Sequence, residues 1–140
     1  MPTGRASRHT GGVGKTGEDV GRVVNRALPL AVRYCRARLG EGDRAGVAAQ
    51  RACASASAKF VRGHRDPLST LVYREAIRES YDEPAPGWLA HLGPLARAVL
   101  ILRVVEALPV PETAAILDVG EGRVRILQHR ALVTLRSRVA

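Results

Sequence analysis

From residue 18 onward, apolar residues recur at three- and four-residue steps, and the pattern breaks only where glycine and proline gather. That spacing collects side chains on one face of an α-helix but scatters them over both faces of a strand, so it selects helices wherever it persists. A sheet has little to draw on, because aromatic residues make up only 4% of the chain and period-two runs of β-branched residues are missing. An all-α fold is expected. A length of 140 residues leaves room for one ordinary domain or two very small helical units.

Residues 1–17 are Gly, Ser, Thr and Arg with almost nothing to bury, and they read as a disordered tail. The tail contains Gly11-Gly12-Val13-Gly14-Lys15-Thr16. A phosphate-binding loop would need a further glycine where His9 stands, and a buried strand ahead of it. Between Glu18 and Leu39, the residues Val20, Val23, Val24, Ala27, Leu28, Val32 and Cys35 mark one helical face, with Pro29 a point for a kink and Gly40 ending the run. A second helix over 45–60 is rich in Ala and Ser, so it should pack closely and bury little. A third spans 67–81, with Leu68, Leu71, Val72, Ala76 and Ile77 facing inward. Pro84 and Pro86 mark residues 82–93 as a short linker between two helical units, 18–81 and 94–140. Trp88, within the linker, is expected to anchor the core of the second unit. That unit should hold an apolar helix over 94–108, a short one over 111–117 and a long one over 121–138.

The formal net charge is +9, carried almost wholly by arginine; Lys15 and Lys59 are the only lysines. Bulk charge of this kind also follows from GC-rich coding, so its distribution is the better guide. Residues 123–138 hold five arginines and no acid. Cys35 and Cys53 are too few for a disulfide framework and fall inside helical patterns, as buried thiols do. The histidines show no paired spacing with them, so no metal or other cofactor is expected. No apolar run approaches a membrane span and the N-terminus lacks a signal-peptide core, which points to a soluble, cytoplasmic protein. No Ser/His/Asp, metal-ligand or paired-carboxylate arrangement argues for an enzyme.

The last two helices have the makings of a helix-turn-helix. Ala114 and Ala115 supply small residues for close helix contact, and Leu117, Val119 and Val124 can lock the pair. Asp118 falls where the chain must turn left-handed, a conformation Asp tolerates better than most residues. At about 100° per residue, Val124, Leu127, Gln128, Ala131, Leu132 and Leu135 share one side of the final helix, with Arg123, Arg125, His129, Arg130 and Arg136 opposite. An apolar inner face and a cationic outer one suit insertion into a DNA groove.

The segment 97–138 closely resembles the C-terminal (sigma-4) domain of extracytoplasmic-function (ECF) sigma factors. Glu112, Ala114, Val124, His129, Arg130, Ala131, Leu132, Leu135 and Arg136 stand at matching places. The resemblance implies a factor that directs RNA polymerase to promoters, the second helix reading the −35 element while the domain docks on the β flap. Arg123, Arg125, Gln128, His129 and Arg130 become the expected DNA-binding residues. "LAVRYCRARLG" (30–40) resembles the first helix of the sigma-2 domain. Downstream, where the family grips the β′ clamp helices, Gln50 remains as the expected polymerase contact. Gly46 and Val47 replace the acidic pair there, and Arg51 replaces a Glu. Of the aromatics that would capture promoter bases, Tyr73, Phe60 and Tyr81 are available. An anti-sigma factor is a further partner the resemblance brings. The competing readings are a degenerate sigma-like or LuxR-like DNA-binding regulator without promoter-opening activity. The continuation His129-Arg130-Ala131-Leu132 argues against the LuxR-like one.

Overall fold

Three amphipathic helices pack pairwise in the first half of the chain: α1 (Glu18–Leu39), α2 (Asp43–Val61) and α3 (Leu68–Ser80). The computed structural model describes residues 18–139, so the tail expected at 1–17, with its glycine-rich stretch, lies outside the described residues. Beyond α3 come a short 3-10 helix (Gly87–His91), α4 (Pro94–Leu100), a π-helical turn (Ile101–Val105), α5 (Val110–Leu117) and α6 (Glu121–Val139). No strand occurs among the described residues. The fold is all-α, as the periodicity predicts.

Helix α1 continues through Pro29, whose ring sits on the exposed face, where the carbonyl it releases can bind water. Its buried line is Val23, Ala27, Ala31, Tyr34, Cys35 and Arg38. Val20 and Leu28, both expected inside, stay 37% and 38% exposed: Leu28 is a quarter turn off that line, and Val20 borders a shallow cleft against α2. Helix α2 packs closely through small residues, as its Ala- and Ser-rich sequence predicts. It buries a full face, Ala45, Ala48, Ala49, Ala52, Cys53, Ala56 and Ser57. Small side chains let α1 and α3 both close upon it, so α2 contributes proximity to the core more than area.

The linker is held by cations. Arg38 is only 2% exposed. Its guanidinium donates to the carbonyls of Tyr81 (3.0 Å), Glu83 (2.6 Å) and Pro84 (3.4 Å). Burial, then the neighbouring Arg97, pulls its pKa down from the ordinary value. Arg97 in turn donates to the carbonyls of Leu89 (2.9 Å) and Glu83 (3.3 Å). Trp88, the expected anchor, is 63% exposed. Arginine and backbone carbonyls, not the indole, fix this connection.

The two halves share one hydrophobic core. Ile101, Leu102 and Ile116 join the buried residues of α1, α2 and α3. At the seam, the buried Glu106 carboxylate accepts hydrogen bonds from Arg33 (2.8 Å) and from the Tyr73 hydroxyl (2.5 Å). Tyr73 packs edge-on against Tyr34, with ring centroids 6.4 Å apart. Tyr73 is therefore buried in this arrangement, and the expectation that it offers its ring to a promoter base is not met; its hydroxyl is already engaged and its ring is covered. The helix expected over 94–108 stops at Val105. Its π turn bonds the Glu106 amide to the Ile101 carbonyl and the Leu108 amide to that of Leu102, with Ala107 left-handed at φ 55°.

Removing Arg38 strands three carbonyls at the linker. Arg38→Ala should lower stability by about 2–4 kcal/mol, read as a lower urea midpoint at unchanged m value. Arg38→Lys should recover only a minor part, since an ammonium cannot fork across the three. The thiols make a second test. Burial pushes Cys35 up to about 12 and Cys53 in the same direction. Both should resist Ellman's reagent at pH 8 until denaturant is added. Because the folded state keeps these protons after the unfolded chain has lost them, stability should fall as pH rises from about 9 toward 12.

Candidate nucleic-acid interface

The turn between α5 and α6 determines where the basic residues point. Asp118 closes α5 in the left-handed region (φ 55°, ψ 48°), and the Val119 amide reaches back to the Ala114 carbonyl at 3.1 Å. Gly120 precedes α6, its carbonyl accepting from the Val124 amide. Of the two expected small residues, Ala114 makes the close contact, buried with Val99 and Val124, with Leu117, Val119 and Leu127 around them. Ala115 faces solvent instead. Its carbonyl and that of Ile116 accept from Arg74 of α3, at 2.8 and 3.2 Å, while Asp66 holds the same guanidinium at 2.6 Å. Arg74 thus caps the C-terminus of α5 from the other half of the chain. No sequence pattern marks it for that task.

Helix α6 rests on α4, α5 and the 3-10 turn. Val124 and Ala131 are fully buried, and Leu127, Gln128 and Leu135 half-buried. Leu132, expected inside, is 39% exposed, because it borders an open apolar cleft of about 430 Å³ shared with Trp88, Val104, Val105 and Leu135. Arg123, Arg125, His129 and Arg130 all face solvent, as the helical spacing predicts.

Among the described residues, Arg123, Arg130 and Arg136 have no ion-pair partner. Arg125 meets Glu121 at 3.5 Å, one turn away and largely exposed, a contact too weak to withhold it from a phosphate. Gln128 differs from the other expected residues: its Oε1 accepts from Arg103 Nε at 2.9 Å, and Arg103 Nη1 also holds the Leu108 carbonyl at 2.6 Å. Taking Val124 as the inward direction, Arg123 and Arg130 lie at about 240–260° around the helix and Arg125 and Arg136 at about 100–120°. Two arginine edges therefore flank a central strip. Ile126 and Val133 occupy it, 52% and 45% exposed; sequence reasoning passed over both.

Gln50 lies exposed on α2, apart from these arginines. Beside it Val47 and Arg51 line a cleft of about 250 Å³ with Asp43, Glu79 and Glu83. Carboxylates thus reach this cleft from the first turn of α2, the end of α3 and the linker, where Glu83 pairs with Arg44, which also lines it.

With this geometry, residues 88–137 match the family described as Sigma-70, region 4. The chain is 31% identical to the ECF RNA polymerase sigma factor SigD of Mycobacterium tuberculosis and of Mycobacterium bovis, over 84% of this chain and 75% of each relative. It is 30% identical to the ECF RNA polymerase sigma factor ShbA of Streptomyces griseus, over 78% of this chain and 81% of the relative.

Asp118 gives a direct check on the turn. Asp118→Gly should raise stability by about 0.5–1 kcal/mol by relieving the left-handed backbone, whereas Asp118→Val should cost about 1–2 kcal/mol. Thermal unfolding of the two variants reads both shifts.

Proposed function

The chain belongs to the ECF RNA polymerase sigma factors, and from that membership we propose that it directs core RNA polymerase to promoters by laying α6 in the major groove of the −35 element. One observation carries the reading: arginines on both edges of an outward-facing helix, three of them free of any ion pair among the described residues. Arg123, Arg125, His129 and Arg130 are the proposed DNA contacts. Gln128 acts beside them with its oxygen tethered to Arg103. We take 18–81 as a sigma-2-like unit, 82–93 as the linker and 94–140 as the sigma-4-like helix-turn-helix. The protein redirects an enzyme and performs no bond chemistry itself. No helix among the described residues is long and apolar enough to cross a membrane, in keeping with action on chromosomal promoters.

Two surfaces are offered to polymerase. The apolar cleft beside Leu132 faces the β flap, since an exposed apolar patch of this kind gains most from being covered. The cleft beside Gln50 meets the β′ clamp helices; Asp43 and Glu79 offer carboxylates to a basic partner there, while Glu83 is paired with Arg44 and Arg51 adds a positive charge to the rim. An anti-sigma factor that covered either surface would compete with polymerase for it. A second reading, a sigma-like regulator that binds without opening promoters, is favoured by the burial of Tyr73 against Glu106. Run-off transcription with core polymerase separates them: transcripts are expected, and none from any DNA the holoenzyme binds would leave the regulator.

Arginines that bind phosphate release counterions. Arg123→Ala or Arg130→Ala should weaken binding to all duplexes alike. For each phosphate no longer neutralised, the slope of log affinity against log salt should become shallower by about 0.9. Fluorescence anisotropy across a salt series measures it.

A further inference from the structure

We propose that Ile126 is a specificity-determining residue of this interface, taking the 5-methyl group of a thymine in the major groove; the inference rests on the DNA-reading role of α6 given above. Ile126 is the sixth residue of α6, within the first two turns, the part of a recognition helix that meets base edges. More than half of its surface is open to solvent (52%). The elements that pack on α6 approach its opposite face, where Val124 and Ala131 are buried.

Its surroundings point to DNA. One turn earlier stands Gly122, where an added Cβ would find no atom within 4 Å. With no side chain there, a base edge can come close to the helix beside the isoleucine. Gly122, Arg123, Ile126, Leu127 and Arg130 border one shallow concavity, so the apolar group lies next to two cations suited to the sugar-phosphate backbone, with Arg125 on the other edge. A saturated side chain can neither donate nor accept a hydrogen bond. Of the features the four base pairs show in the major groove, only the thymine methyl is complementary to it. Val133 is also exposed, but it stands seven residues further on, about 10 Å along the axis. That is beyond the base-reading end, so Val133 is given no such role.

Replacing thymine by deoxyuridine deletes that methyl and changes nothing else in the groove. The full chain, alone and with core RNA polymerase, would first enrich duplexes from a random pool. Each thymine of an enriched duplex would then be replaced in turn by deoxyuridine, and affinity read by fluorescence anisotropy. One or two positions are expected to lose about fourfold, the worth of one buried methyl-sized group. In Ile126→Ala the penalty at those positions should vanish while other positions behave as before. Since Ile126 belongs to none of the buried clusters, the variant should melt at the wild-type temperature. Retained binding with no uridine-sensitive position, or sensitivity undiminished in Ile126→Ala, overturns the inference and leaves the DNA reading standing. Failure to enrich any duplex under either condition overturns both. Sedimentation covers the remaining case: an association of the chain with itself that Ile126→Ala dissolves, without uridine sensitivity, would make this strip a contact between copies and sink the proposal.

Discussion

The contact of Val124 with Ala114 and Val99 sets the direction in which α6 presents its basic residues. Two helices joined by a three-residue turn can meet at a fixed angle only if one offers a methyl where the other brings a branched side chain. Ala114 does so, and Val124 is fully buried against it. Once that side of α6 is inside, the 3.6-residue repeat turns Arg123, Arg125 and Arg130 outward. A larger residue at 114 would move the second helix and its arginines together.

Arginine serves two opposed purposes along the chain. Arg38, Arg74, Arg97 and Arg103 point inward and bond carbonyls or an amide oxygen, fixing the linker, the end of α5 and Gln128. Arg123, Arg130 and Arg136 point outward with no ion-pair partner among the described residues. The planar, forked guanidinium suits both tasks, because it can bridge several backbone oxygens as readily as it grips a phosphate. The excess positive charge is therefore partly structural, and the inward set is not available to a polyanion.

The seam between the halves bears on how the protein works. Glu106 joins Arg33 and Tyr73 across it, and Arg74 ties α3 to α5. In this arrangement α6 presents its arginine edges to solvent while the aromatic best placed in α3 is enclosed. The DNA contact proposed for α6 uses side chains already exposed in this arrangement. Use of the Tyr73 ring would require the halves to part, and the hydrogen bonds at Glu106 to exchange for water. Burial keeps that hydroxyl protonated far above its ordinary range.

Sequence alone determined the helices, their order and the basic face of α6, because periodicity and glycine or proline breaks act locally and need no partner. It also identified Asp118 as the left-handed residue, since few side chains tolerate that backbone. Tertiary structure alone decided which apolar residues were covered. Trp88, Leu132 and Ile126 match their buried neighbours in chemistry and differ only in whether another element happens to reach them. The same holds for the roles of Arg38 and Arg74, whose partners lie more than forty residues away in the chain. A carbonyl leaves no mark in the sequence to say which guanidinium it will meet.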